Sequence, residues 1–221
     1  MIKLPDATKA FEYENNFYLT CDNTRLSKIL SQYELYKKII NLPGAIVECG
    51  IFKGASLIRF AGFRDIFGNS FSNKIIGFDI FDEFPNTNFD EDQKYRDKFI
   101  ENAGINSIGE LQLLEVLKYK GIEKNIELVK GDICKTVPEY VKNNPHLKIA
   151  LLNLDVDIYE PAVTILEELY PRICNGGVLI LDDYGTFPGE TKAVDDYFRD
   201  KNVKICKFPF AMTPSYIVKE G

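Results

Sequence analysis

The chain is 221 residues long, 45% hydrophobic and 27% charged, a length and balance that fit one globular domain. Lys and Arg number 27 against 33 Asp and Glu, a formal net charge of −6, and without a basic run this argues against a nucleic acid or an anionic membrane as the main partner. No apolar stretch nears the roughly 20 residues of a membrane span, and the opening Met1-Ile-Lys-Leu-Pro-Asp6 lacks the apolar segment of a signal peptide, so a cytoplasmic protein is expected.

Residues 1–20 carry Phe11, Tyr13, Phe17 and Tyr18, too aromatic for a disordered tail, and are expected to pack on the domain or on a second copy of the chain. From 24 to 42, Leu26, Ile29, Leu30, Tyr33, Tyr36, Ile39 and Ile40 recur every three or four residues. This predicts an amphipathic helix capped by Asn23 or Thr24 and closed by Pro43-Gly44. Residues 1–43 are read as an N-terminal helical extension, a cap or dimerisation arm, ahead of a domain over 44–221, the two forming a single globular unit. A homodimer is the expected assembly.

Beyond Gly44, apolar runs of strand length fall at 45–49, 74–78, 126–129, 149–154 and 178–181. They alternate with helical stretches at 56–67, 92–103, 111–119, 136–142, 161–169 and 192–200, the pattern of a parallel sheet covered on both faces. Strands near 203–208 and 216–219 add an antiparallel edge. The fold class is therefore α/β, doubly wound and mostly parallel. Five scattered cysteines form no Cys-x-x-Cys pair, and Cys134, Cys174 and Cys206, beside apolar segments, read as buried reduced thiols.

In an open sheet of this kind, ligands bind beyond the carboxyl ends of the strands, near the point where strand order reverses. Glu48, Asp79, Asp132, Asp155, Asp157, Asp182 and Asp183 converge on that rim. So many like charges are costly alone, and something cationic is expected among them. The first turn, Val47-Glu-Cys-Gly-Ile-Phe-Lys-Gly-Ala-Ser56, differs from the Gly-x-Gly-x-x-Gly of dinucleotide folds, which disfavours a nicotinamide or flavin. Gly50 there is expected to permit a sharp turn and close approach of a ligand. Asp79, ending the second strand, suits a ribose, and Gly131-Asp132 after the third suits the neighbourhood of an adenine. Each carboxylate taken singly fits a helix cap or a solvated loop equally well; together they fit an adenosine-containing ligand.

Leu154-Asp-Val-Asp157 and Leu181-Asp-Asp183 end two strands expected to be neighbours. Hard oxygen ligands without His or Cys suit Mg²⁺, with Ca²⁺ or Mn²⁺ also consistent and Zn²⁺ disfavoured. The single histidine, His146, falls at the amino end of the fourth strand, away from this rim, and is read as a solvated loop residue. Lys53 lies in the cofactor turn and Arg25 and Lys192 near candidate lid segments; any of them could meet phosphates of a nucleotide sugar, with surface solvation the default for each.

The ordered set 47–56, 77–85, 154–161, 176–185 and Ala193-Val-Asp-Asp-Tyr-Phe198 resembles the macrocin O-methyltransferase family, over about residues 26–198. The resemblance implies a seven-stranded class I methyltransferase sheet, S-adenosylmethionine as cofactor, a bound Mg²⁺ and methyl transfer to a sugar hydroxyl. Position by position it assigns Glu48, Gly50 and Ser56 to the methionine portion of the cofactor, with Phe52 of the same turn also in contact. It assigns Asp79 to the ribose, and Gly131 and Asp132 to the adenine. Asp155, Asp182 and Asp183 match the metal ligands, and Asp157 the general base. Ile80, Asp82 and Val156 depart from the family pattern, and the diverged segment 90–121 is expected to shape the acceptor pocket.

A sugar hydroxyl is a weak nucleophile, so a cation and a nearby base both help it. Asp155 and Asp157, two apart at a strand end, are expected to point to the same side. Two rivals remain at this level: transfer to a catechol-like phenol walled by Phe81, Phe84 and Phe89, and a non-catalytic adenosine-binding module. The Lys-, Asn- and Ile-rich usage suits an AT-rich bacterial genome, so a polysaccharide sugar fits as well as an antibiotic one.

Overall fold

A computed structural model describes residues 2–220; Met1 and Gly221, the outer limits of the two segments read from the sequence, lie outside the described residues. Seven strands form one sheet among these residues: β1 (Ala45–Cys49), β2 (Ile75–Asp79), β3 (Ile126–Lys130), β4 (Ile149–Leu154), β5 (Ile173–Leu181), β6 (Cys206–Lys207) and β7 (Ser215–Val218). Their spatial order is β3-β2-β1-β4-β5-β7-β6. The first five are parallel, and β7 runs antiparallel to both β5 and β6. Strand order reverses between β1 and β4, so the crevice of the sheet opens beyond Cys49 and Leu154.

The helices are α1 (Ala10–Thr20), α2 (Asn23–Ile39), α3 (Ala55–Phe67), α4 (Asp90–Ala103), α5 (Glu110–Tyr119), α6 (Ile133–Asn143), α7 (Tyr159–Glu168) and α8 (Pro188–Phe198). Leu35, Leu57, Phe60 and Leu113 of α2, α3 and α5 pack with Ile46, Leu151 and Ile180 on one face. Val137, Ile165 and Val194 of α6, α7 and α8 pack with Val47, Leu152 and Leu181 on the other. Because both faces are covered, every residue of β1, β2 and β4 is buried, while the edge strand β3 is half-exposed. No described helix is long and apolar enough to cross a membrane.

Most element bounds shift by one to four residues from the sequence reading, α8 beginning at Pro188 rather than 192 and β6 covering only Cys206–Lys207, and three further differences concern a cap, a bulge and the arm. The cap of α2 is Asp22, one residue before the expected pair, and its carboxylate accepts the Thr24 N–H at 2.8 Å. β5 begins at Ile173 rather than 178, because a register shift opposite Ile149–Leu151 lets Gly176-Gly177 bulge out and the strand resume. The aromatic arm is helical, yet α1 buries no residue, and Phe11, Tyr18 and Leu19 face outward. The thiols also sort differently. Cys49 is the fully buried one, and Cys134, Cys174 and Cys206 are half-buried.

The inner stripe of α2 changes character along its length. Leu35, Tyr36 and Ile39 seat its C-terminal half on the sheet, but the same stripe continues as Gln32, Ser31 and Lys28. Leu30 and Ile40, counted as apolar-face residues in the sequence, are exposed instead. The N-terminal half of the helix meets polar groups instead, Lys28 bonding Asp182 and Gln32 accepting from Arg59.

Candidate functional site

A cavity of about 840 Å³ opens at the crevice, lined from β1, β2, β4 and β5 ends and from the N-terminal turn of α2. Asp155 follows β4 and Asp182 follows β5, each adding one rung to the ladder: Asp155 N–H bonds the Cys49 carbonyl and Asp182 N–H the Leu154 carbonyl, both at 3.0 Å. One oxygen from each of Asp155, Asp182 and Asp183 lies within 4.8 Å of the others. Asp182 is buried and its Oδ1 has no hydrogen-bond partner. Three hard oxygens with an orphaned buried lone pair fit a Mg²⁺-like cation, and the donor set excludes a thiolate or imidazole site.

The cation in direct contact with them is Lys28, with Arg59 of α3 farther off and bonded to Gln32. Its Nζ bonds Asp182 Oδ2 at 2.5 Å and lies 3.8 Å from Asp155 Oδ2. Burial alone would depress this ammonium, but Asp155 and Asp182 outweigh it and hold it above the usual lysine range. Lys28 does not stand out in the sequence as a site residue. Its signal is the 4-3-4 spacing of Lys28, Gln32, Leu35 and Ile39, one continuous stripe whose polar end has to face a polar partner.

Asp157 is buried at φ +62°, the centre of a three-residue turn closed by Ile158 N–H to the Val156 carbonyl at 2.6 Å. β4 has already ended at Leu154, so strand alternation does not aim this side chain as the sequence suggested; the left-handed turn does. Glu190 N–H holds the Asp157 carbonyl at 3.1 Å. Burial, then the charge of Asp155, pushes the Asp157 carboxyl up to about 8. Burial likewise raises Asp183, with Asp157 beside it as the next cause. Glu190, absent from the sequence reading, is fully buried behind this loop and accepts the Asp183 N–H at 2.9 Å.

The glycine-rich turn is built by its neighbours. Gly50 sits at φ +88°, and a Cβ there would come 1.7 Å from the Asp155 carbonyl oxygen. Packing of β1 against β4 thus requires this glycine, before any ligand is considered. Asp79 fastens the same turn: its Oδ2 accepts the Ile51 and Phe52 amides at 2.7 and 3.1 Å, and Oδ1 accepts Phe81 N–H at 2.6 Å. Those three bonds leave Phe52 at φ +50° on the cavity wall. Glu48 is fully buried below, its Oε1 accepting the Ser56 hydroxyl and its Oε2 unpartnered, with its pKa raised to about 8 by burial. Gly131 and Asp132 line the same cavity, and Asp132 caps α6 by accepting Cys134 N–H at 3.0 Å. The seven rim carboxylates therefore divide. Asp155, Asp157, Asp182 and Asp183 form one cluster with Glu48 nearby, while Asp79 fastens the Gly50 turn and Asp132 caps α6.

The segment between β2 and β3 closes one wall. Asp92, fully buried, accepts the Tyr159 and Gly189 amides at 3.0 and 2.6 Å, and so joins α4 to the first turns of α7 and α8. Glu160 adds the Thr87 hydroxyl and Asn88 N–H at 3.0 and 2.7 Å. Of the three phenylalanines offered as a phenol wall, Phe84 lines the cavity, Phe81 is buried in the core, and Phe89 stacks on Tyr159. Arg25 and Lys53 line the cavity, Lys53 tied to the Ala103 carbonyl, while Lys192 pairs with Asp196 outside it. His146 is exposed at the opposite end of the sheet.

Residues 21–209 match the macrocin O-methyltransferase (TylF) family. The chain belongs to that family.

Among curated relatives, it is 27% identical over 158 residues to 8-demethyl-8-(2,3-dimethoxy-alpha-L-rhamnosyl)-tetracenomycin-C 4'-O-methyltransferase of Streptomyces olivaceus, covering 71% of this chain and 58% of that protein. It is 28% identical over 162 residues to demethyldecarbamoylnovobiocin O-methyltransferase of Streptomyces niveus, covering 71% and 59%. The chain thus spans less than two thirds of the length of these relatives. The crystal structure of the calicheamicin methyltransferase CalS11 superposes with a TM-score of 0.78 at 28% identity, over 96% of this chain and 86% of that one. The macrocin O-methyltransferase membership and the sheet order agree with the resemblance read from the motifs.

Proposed function

We propose that the chain is an S-adenosylmethionine-dependent O-methyltransferase acting on a sugar hydroxyl with the help of a divalent cation, Mg²⁺ foremost. The observation that carries this reading is the cluster of Asp155, Asp182 and Asp183 within 4.8 Å on a cavity that also holds the Gly50 turn. Family membership and the named reactions of the relatives support a sugar acceptor over a phenol, and only one of the three candidate phenol-wall rings reaches the cavity.

S-adenosylmethionine, when bound, supplies a methyl group on a positively charged sulfur. Glu48 and Ser56, with the backbone of Gly50 and Phe52, are the groups available to its methionine portion. Asp79 retains one lone pair, on Oδ1, for a ribose hydroxyl after its three amide bonds, and Gly131 and Asp132 are available to the adenine region. Asp155, Asp182 and Asp183 would hold a divalent cation, which would supply positive charge against the oxygen that becomes nucleophilic. Asp157, fixed by its strained turn beside that cluster, takes the hydroxyl proton in its ionised form, which the positive charge of a cation at the cluster would favour against the burial that raises it. Phe84, Phe99 and Phe52, with successive ring centroids 5.4 and 5.2 Å apart along the wall, exclude water and orient the acceptor.

The acceptor is a glycosylated natural product, a nucleotide-linked sugar or a glycan, and the enzyme is a cytoplasmic homodimer in which the outward side chains of α1 meet a second copy. A mass of one chain in light scattering would remove the dimer. Methyl-labelled cofactor incubated with nucleoside-diphosphate deoxyhexoses and rhamnosylated aglycones tests the reaction. Transfer that falls about 100-fold or more in Asp157→Asn, with cation binding retained, is the expected result. Cofactor binding without transfer to any acceptor, with or without Mg²⁺, would favour a non-catalytic module instead.

A further inference from the structure

The centre of the carboxylate cluster already has a cation of the protein's own. Lys28 reaches it from α2, 154 residues away in sequence from Asp182, and its ammonium bonds Asp182 at 2.5 Å with Asp155 3.8 Å distant. It is not a surface pair. The Asp182 side chain is 5% exposed and that of Lys28 24%. Among the described residues, no other carboxylate lies within 4 Å of Lys28, so its charge is committed to two of the three residues that fit a metal.

We propose that Lys28 is a tethered counter-cation that competes with the divalent metal for Asp155 and Asp182. This rests on the metal-assisted reading of the site. A dication in contact with the same oxygens would lie within a few ångströms of the ammonium, and like charges at that range in a partly buried site repel strongly. The ammonium therefore withdraws when the metal enters and returns when it leaves. In that role it keeps the carboxylates from repelling one another apart between loadings. It also sets a threshold for the incoming ion. A monovalent cation offers Asp155 and Asp182 no more charge than Lys28 does, whereas a dication offers twice as much, so the device favours divalent ions. Thr24 and Arg25 of the same helix line the same cavity, so the side chain that yields to the metal belongs to an element that forms the cavity wall.

The test is calorimetric titration of the full chain with Mg²⁺ alone, on wild type, Lys28→Met and Lys28→Gln, paired with melting curves in EDTA and in saturating Mg²⁺. Both variants are expected to bind Mg²⁺ about tenfold more tightly or better, the equivalent of losing one partly buried competing ion pair. Both are expected to melt below wild type in EDTA and to recover in Mg²⁺. A variant that folds only with Mg²⁺ supports the same conclusion, since the metal then does what Lys28 did. Unchanged or weaker Mg²⁺ binding in two folded variants would overturn the competition while leaving the metal site standing. No Mg²⁺ binding by wild type or either variant would overturn the metal-assisted reading itself.

Discussion

Gly50→Ala separates two reasons for a glycine in the first turn. If the glycine serves only ligand approach, the variant folds normally and loses cofactor affinity. The geometry requires more, since the added Cβ would lie 1.7 Å from the Asp155 oxygen and 2.6 Å from its carbonyl carbon. Both are backbone atoms at the end of a fully buried strand, so neither can swing aside. A left-handed alanine costs about 1–2 kcal/mol, and overpacking a tight site adds about 1–3 kcal/mol. The sum, about 2–5 kcal/mol, corresponds to a fall in Tm of roughly 5–20 °C for a domain of this size. The displaced residue is Asp155, so Mg²⁺ affinity falls with it. Melting curves without ligand, followed by Mg²⁺ titration, read both effects. A variant melting within about 2 °C of wild type, less than 1 kcal/mol on this scale, with Mg²⁺ binding intact, would refute the packing argument.

Asp92→Ala leaves two amides, the part-buried one of Tyr159 and the buried one of Gly189, without an acceptor. At about 1–3 kcal/mol for each unsatisfied group, stability falls by about 2–6 kcal/mol, and limited proteolysis is expected to cut within 82–107 sooner. Unaltered cleavage there would mean α4 is held by something else. Glu48 is raised from 4.5 to about 8 in the fold, mainly by burial, so the folded chain holds a proton that the unfolded chain has lost between those values. Stability from this group is therefore full below pH 4.5 and lost as pH rises through 8. Glu48→Gln escapes that loss, and its Tm relative to wild type is expected to climb as pH rises from just above the lower value to just above the upper one; a constant difference would contradict the assignment.

Where each residue's partners lie decides how much of the molecule is legible in its sequence. β1 and β4 can be read to the residue because strands buried on both faces appear as unbroken apolar runs. The same logic fails for α2, where Ser31 and Gln32 are fully buried and Leu30 is exposed. An amphipathic count assumes an apolar floor, whereas in the N-terminal half of this helix Lys28 bonds Asp182 and Gln32 accepts from Arg59. Asp155, Asp182 and Asp183 are readable because they directly follow strands whose ends are dictated by the fold. Asp92 and Glu190 are not, since their partners are main-chain amides, in the case of Asp92 67 and 97 residues away, and no composition or spacing records such a bond. Asp157 stands in the cluster where the sequence puts it, but alternation is an incomplete reason, because its direction comes from a left-handed turn that alternation does not predict.

The central claim is that one cavity holds both a methyl donor and a divalent cation, with Asp155 belonging to the cation. Isothermal titration with S-adenosylmethionine, with and without Mg²⁺, on wild type and Asp155→Asn tests it directly. Micromolar cofactor binding in both proteins, with Mg²⁺ binding lost in the variant alone, is the predicted result. Failure of wild type to bind S-adenosylmethionine under either condition would contradict it.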